Sequence, residues 1–170
     1  MTQFLETTRF GKLEIGEEAI ISFPDGIPGF ESHTDWILFG EDETPIKWLQ
    51  SISNGDVALP VVISRDIRTS YSPKIADADL ASLQAESDRD YGLMVVLSIP
   101  SSEPWNMTAN LRAPIVLNHA KRVGKQVICM NEEYSVREFV FSEKDRGAMR
   151  GRMEEKKEET AAAPREKEGQ

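Results

Sequence analysis

Apolar and polar residues alternate in short runs along most of the chain. Lys12-Leu13-Glu14-Ile15 keeps its apolar side chains at odd positions, as a strand with one wet face does. The β-branched pair Thr7-Thr8 favours extension, and Gly11 breaks the pattern, so residues 2–15 predict a strand pair around a tight turn. Residues 16–20 fit either an extended stretch or a helical turn. Trp36-Ile37-Leu38-Phe39 is apolar throughout, which predicts a well-buried strand closed by the polar Gly40-Glu41-Asp42-Glu43. Residues 46–52 resume extended structure. Asn54-Gly55 predicts a hairpin, because both residues tolerate positive φ. Val57 to Ile63 is the returning strand. Pro60 cannot donate to a ladder, so this strand should be an edge or carry a bulge there.

Further along, Asp77 is placed to cap a short helix over residues 78–86, with Leu80 and Leu83 on one face. Residues 91–99 form the clearest strand, central and covered on both faces, and Pro100 stops it. Residues 101–113 predict a crossing loop and residues 114–118 another strand. His119 to Lys125 reads as a basic turn through Gly124, with residues 126–130 as the partner strand. On it, Val127 and Cys129 share a face opposite Gln126, Ile128 and Met130. Residues 132–141 offer one more short element, anchored by Val136, Phe139 and Val140. About eight or nine short strands against one evident helix favour a mostly antiparallel sheet, either a small barrel or two packed sheets. Helical segments are too few for a βαβ repeat.

The densest punctuation lies at Phe23 to Phe30, FPDGIPGF. Pro24-Asp25-Gly26 is a turn signal in which Gly26 is predicted to hold a positive φ. Ile27-Pro28-Gly29 repeats the device. Phe23, Ile27 and Phe30 give the segment apolar side chains that a loose linker would not need. It is therefore read as a rigid bend, serving as a structural corner, a shaped contact surface, or both.

Charge changes the reading of the C-terminal part. Residues 151–170 hold 5 positive and 6 negative groups and no aromatic, too little apolar surface to offset ordering. Residues 1–142 are accordingly assigned to the β domain and residues 143–170 to a charged, disordered tail, with a transient helix over residues 152–163 open to it. Across the 170 residues, 20 lysines and arginines face 29 aspartates and glutamates, a net charge of -9. That opposes non-specific nucleic-acid binding and permits a basic protein partner. The acidic run from Asp77 to Asp90, with Asp79, Glu86 and Asp88, is a candidate patch for such a partner or simply a solvated helix face. The N-terminus carries no secretory signal and no apolar run approaches a membrane span, so a cytoplasmic location is expected.

Candidate chemistry is sparse. The chain lacks a dinucleotide or phosphate loop, an H-E-x-x-H motif and a cysteine pair. His33 and His119 have no neighbouring ligand set, and Cys129 reads as a buried small hydrophobe. No catalytic residue, metal or cofactor is expected. Gln50 and Gln126 fit buried amides or a wet face, and Asn110 fits a residue that ties off backbone groups at a strand boundary. Trp48 and Trp105 fit core residues or interface anchors, and Trp105, in a Pro/Asn-rich loop, is the better anchor candidate of the two. Trp105, Asn110 and the bend residues Phe23, Asp25, Ile27 and Phe30 make up a candidate protein-binding surface.

Several long motifs are familiar together. ETTRFG at Glu6 to Gly11, FPDGIPGFE at Phe23 to Glu31, IKWLQS at Ile46 to Ser51, MTANLRAPIVLN at Met107 to Asn118 and GKQVI at Gly124 to Ile128 stand in the order and spacing of one family. Through them the chain resembles the flagellar assembly factor FliW family. The resemblance implies a mostly β, small antiparallel β-barrel-like domain with short peripheral helices and a non-enzymatic role. It also implies two cytoplasmic partners, flagellin and the RNA-binding translational repressor CsrA. Free flagellin would occupy the FliW-like protein and release CsrA to silence flagellin synthesis. No direct contact with nucleic acid or membrane is implied. The sequence departs from the family pattern at Leu59, where an aromatic often stands, after Tyr134, where a proline is common, and in its longer tail. Rival readings are a nucleic-acid-binding barrel, which the charge opposes, and a small-ligand barrel, which would need an apolar cavity with convergent polar groups.

Overall fold

The computed structural model describes residues 2–41, 43–64 and 70–162, with residues 161 and 162 described by backbone alone. The chain divides into two compact units, one of residues 1–98 and 109–138, the other of residues 99–108 and 139–170.

The first unit opens with an antiparallel hairpin, β1 (Thr2–Thr7) and β2 (Gly11–Gly16), in the register Thr7↔Gly11. Gly11, at φ +69, makes the predicted break. A 3-10 turn over Glu17–Ala19 follows, resolving the ambiguity at residues 16–20. Then come β3 (Ile20–Ser22), β4 (Asp35–Phe39), β5 (Lys47–Ser51), β6 (Ala58–Ile63), α1 (Asp77–Ser82) and β7 (Gly92–Ser98). The two-residue β8 (Thr108–Ala109), then β9 (Ile115–Asn118), β10 (Val123–Gln126) and the two-residue β11 (Glu138–Phe139) complete the strands.

Strands β3 to β7 pair antiparallel in sequence order. β7 also pairs with β9, β9 with β10, and β10 returns to β3 through the parallel pair Val123↔Ser22. The ring closes on seven strands, which removes the open edges a flat sheet would leave. Ile21, Trp36, Leu49, Val61, Met94, Ile115 and Leu117, one or two from each of six strands, are buried together with Phe23 and Ile27. A smaller cluster of Leu83, Val116, Val123 and Val127, with Leu80 and Leu93 against it, lies under α1 and covers the other side of β7 and β9. The mostly β, antiparallel barrel-like expectation therefore holds.

Several local expectations need correction. In β4, Trp36 and Ile37 are buried, but Leu38 and Phe39 are 38% and 37% exposed, so the apolar run is not a fully buried strand. Neither Asn54 nor Gly55 has a positive φ. Their loop is longer than a two-residue hairpin, and glycine is needed at 55 because a Cβ there would lie 1.9 Å from the Glu6 carbonyl oxygen. β6 lies between β5 and β7, yet the β7 ladder starts only at Val61, so Pro60 sits where no N–H is required of it.

The helix α1 is shorter than predicted, and Ala76 rather than Asp77 occupies the cap position. It ends at Gln84, φ 58, in a Schellman arrangement: Ala85 N–H donates to the Leu80 carbonyl and Gln84 N–H to that of Ala81, each at 3.0 Å. Gly124 is not the turn residue either. Arg122, φ 54, makes the turn, and β10 already starts at Val123. The named strand ends at Gln126, but Val127 N–H and Cys129 N–H still donate to the Pro114 and Arg112 carbonyls at 3.0 and 2.9 Å. Cys129 is buried while Ile128 and Met130 are 72% and 65% exposed, the predicted two faces.

In the second unit, a 3-10 turn over Pro104–Asn106 is followed, later in the chain, by the helix α2 (Glu143–Ala162). This helix occupies most of the stretch expected to be a charged tail, and residues 163–170 lie outside the described residues. Ser142 starts it: its Oγ accepts from Asp145 N–H at 3.1 Å, and its carbonyl accepts from Arg146 N–H at 2.9 Å. Glu143 and Asp145 complement the positive helix end.

Candidate interaction surfaces

The bend is fixed by its own backbone. Gly26 N–H donates to the Phe23 carbonyl at 2.8 Å, Phe30 N–H to that of Ile27 at 2.6 Å, and Phe23 N–H to that of Thr34 at 2.7 Å. Gly26 and Gly29 have φ of +67 and +92, as turns of this kind require. At Gly26 space also forbids a side chain, since a Cβ would lie 2.5 Å from the Glu31 Cα. Glu31 Oε1 accepts from Gly29 N–H at 3.1 Å, and this bond holds the Glu31 carboxyl below the usual range. The apolar side chains point into the core: Phe23 and Ile27 are buried, and Phe30 is half-buried edge-on to His33 and Trp36. The Phe23 ring leaves no room at position 124, where a Cβ would meet its Cζ at 2.6 Å. The bend thus presents Asp25 and part of Phe30 to solvent, with Phe23 and Ile27 behind them.

Lys125 on β10 joins this bend to the acidic helix. Its Nζ lies 2.8 Å from Asp79 Oδ1 and 3.9 Å from Asp25 Oδ2. Asp79 is therefore spent on an ion pair, whereas Asp25, Glu86 and Asp88 remain exposed. Asp90 accepts from the Glu86 and Ser87 N–H groups at 2.8 and 3.1 Å, fixing the loop that carries Glu86. Asp88 also borders a cavity of about 460 Å³ whose walls include Ile63, Tyr71, Tyr91, Leu93 and His119. Tyr71 donates to the Leu111 carbonyl at 2.6 Å, and burial, with Cys129 and Tyr134 nearby, raises its pKa.

Asn110 ties off backbone, accepting from Ala113 N–H at 3.0 Å through Oδ1. Gln50 is fully buried and directs its amide nitrogen at the carbonyls of Ser51, Asn54, Gly55 and Val57, at 3.0–3.3 Å, organising the β5–β6 loop. Gln126 donates to the Ala113 carbonyl at 3.0 Å. His33 Nδ1 lies 2.7 Å from Ser51 Oγ and 3.1 Å from Ser53 Oγ. Among the described residues no cluster of His, Cys, Asp and Glu is arranged to hold a metal, and no helix is long and apolar enough to cross a membrane.

Trp105 belongs to the second unit, whereas the bend and Asn110 belong to the first. It is 7% exposed and lines an open groove of about 380 Å³. Met107 and Phe141 line it as well, together with Met149 and Met153 of α2. Val140 N–H donates to the Met107 carbonyl at 3.2 Å, and Arg146 stacks on Phe139 with its guanidinium carbon 3.6 Å from the ring centroid. Sequence reasoning passed over the methionine stripe. The four-residue spacing of Met149 and Met153, behind Ser142 three residues before Asp145, is a helix signature masked by the surrounding charge.

Comparison with known proteins matches residues 3–140 to the family model described as FliW protein. The flagellar assembly factor FliW of Thermotoga maritima is 41% identical over 140 residues, covering 82% of this chain and 94% of the relative. That of Leptospira interrogans is 36% identical over 138 residues, covering 81% and 92%. A crystal structure of the flagellar assembly factor FliW superposes with a TM-score of 0.76 at 34% identity, covering 84% of this chain and 99% of that one.

Proposed function

The chain belongs to the FliW protein family, and from that premise we propose that it is a non-enzymatic flagellar assembly and regulatory factor that works in the cytoplasm by exchanging partners. One partner is flagellin and the other is CsrA. Flagellin that accumulates before export occupies the protein and frees CsrA to repress; export reverses the exchange. The observation that carries the reading is the match over residues 3–140, with relatives named as flagellar assembly factors across nearly their whole length.

The charge distribution supports the CsrA half. A net charge of -9 steers a basic RNA-binding partner, and Asp25, Glu86 and Asp88 are the exposed carboxylates among the candidate residues. Asp79 contributes less, because Lys125 offsets it. Phe30 offers a small apolar contact beside Asp25, and the groove lined by the buried Trp105 with Met149 and Met153 offers a larger one in the second unit.

The test is a titration of labelled CsrA with this protein at several fixed flagellin concentrations. The apparent Kd for CsrA should rise at least about tenfold, a difference of about 1.4 kcal/mol. A plateau would indicate two coupled sites, and an unlimited rise one shared surface. A ternary complex with unchanged affinities would end the exchange reading. Converting Glu86 and Asp88 to lysine should slow CsrA association more than it speeds dissociation. An unchanged association rate would remove that patch.

A further inference from the structure

We propose that the groove between the Trp105 loop and α2 docks an amphipathic helix of a partner protein, one whose apolar stripe is edged by carboxylates. The inference stands apart from the exchange of flagellin and CsrA, and α2 lies beyond the residues that the family model matches.

The groove is open and its lining is almost wholly hydrocarbon, sulfur and aromatic ring. Met149 and Met153 stand one turn apart on α2 and are only half-buried, facing Trp105 and Phe141 across the groove. Methionine is unbranched and polarisable, and a surface built from it adapts to an apolar helix face. From Met149 to Lys156 the groove follows about two turns of α2, about 10 Å, which matches the i, i+4, i+7 anchors of a docked helix.

Charge selects the occupant. Arg152 and Lys156 also line the groove, one turn apart and exposed. Among the described residues neither side chain has an ion-pair partner, although the neighbouring Arg150 is paired with Glu154 at 3.2 Å. Although the chain's net charge of -9 draws basic partners at long range, at the groove itself the two free cations beside the apolar trough favour carboxylates on the docked helix over basic side chains.

The test uses the full-length chain and two labelled helical peptides with the same leucine stripe, one flanked by glutamates and the other by lysines. By fluorescence anisotropy the glutamate peptide should bind at least about tenfold more tightly, and its affinity should fall as salt rises from about 0.05 to 0.5 M. Arg152→Glu with Lys156→Glu should reverse the preference. Met149→Ala with Met153→Ala should weaken both peptides at least about tenfold while leaving the circular dichroism spectrum intact. Trp105 should report binding by a change in emission that is lost in Trp105→Phe. Equal affinity for the two peptides, or full binding by the folded double-alanine variant, would overturn the proposal. So would self-association of the free chain that Met153→Glu abolishes, since a second copy would then be the occupant.

Discussion

At the bend, Phe23 and Ile27 turn inward, and the backbone that carries them is closed by three hydrogen bonds and two positive-φ glycines. Along α2, Met149 and Met153 turn toward an open groove, on a helix with no buried residue through residue 160. Both regions carry apolar side chains in polar surroundings, yet one uses them to finish a core and the other leaves them half-covered at an open groove. Rigidity therefore does not identify a contact surface. A rigid loop often owes its shape to the core beneath it, while a half-covered apolar stripe has no full structural account within its own unit.

The strongest way to break this contrast is to attack the bend. Gly26→Val forces a β-branched residue to φ +67 and drives its Cβ into the Glu31 backbone. The expected cost is about 3 kcal/mol or more in a denaturant melt. Gly29→Ala is the matched control. Its φ is +92 but nothing lies within 4 Å of its Cβ, so only backbone strain remains, about 1 kcal/mol. Equal midpoints for the two variants would mean that the bend is not clamped by Glu31.

That clamp was half legible in the sequence. Pro24-Asp25-Gly26 announced a positive φ, because turn chemistry is local. The crowding at Gly26 was not legible, because Glu31 arrives through a fold-back. Gly124 is the clearer miss: as a letter it looked like a turn glycine, but it serves as the flat spot on which the Phe23 ring rests, about a hundred residues away in sequence. Likewise Gly55 looked like half of a tight turn and is instead a gap left for the β1–β2 hairpin. The strands themselves were readable from alternation, while ring closure depends on β9, β10 and β3 meeting, which no local pattern encodes. Of the candidate site residues, the sequence named Trp105 from its loop but gave no reason to pair it with Met149 and Met153, whose periodicity lies within a charge run.

A second effect comes from alkaline pH. Tyr71 has its pKa raised in the folded protein, mainly by burial. In the unfolded chain a tyrosine ionises near pH 10. The folded state then keeps a proton that the unfolded state releases. The Tyr71 contribution is intact below about pH 10 and is lost as pH rises toward the folded pKa, at about 1.4 kcal/mol per pH unit. Urea melts at stepped alkaline pH should show Tyr71→Phe losing stability less steeply than wild type, even though it starts lower for want of the bond to the Leu111 carbonyl. Parallel slopes would place Tyr71 in a wetter setting.

Lys125 gives a smaller effect on the same unit. Its pair with Asp79 is partly exposed and that with Asp25 more so, so Lys125→Met should cost about 0.2–1 kcal/mol. The same variant frees Asp79 and Asp25 and adds to the local negative field. Under the exchange reading, CsrA should then associate faster at low salt although the protein is slightly less stable. A slower association would show that Lys125 itself forms part of the contact.

The smallest stability effect, and the sharpest test of the contrast, is truncation after Arg150. The cut removes Arg152, Met153 and Lys156 but no buried residue among those described in that stretch. If this half of α2 serves binding rather than folding, the melting temperature of the truncated chain should stay within about 3 °C of wild type, about one kcal/mol for a chain of this size. Helical circular dichroism should fall, because isolated helical turns of this length are marginal once shortened. Binding of the glutamate-edged peptide should disappear with them. A larger drop in melting temperature would show that residues 151–162 act as structure, and Met153 would then belong with Phe23 and Ile27 rather than opposite them.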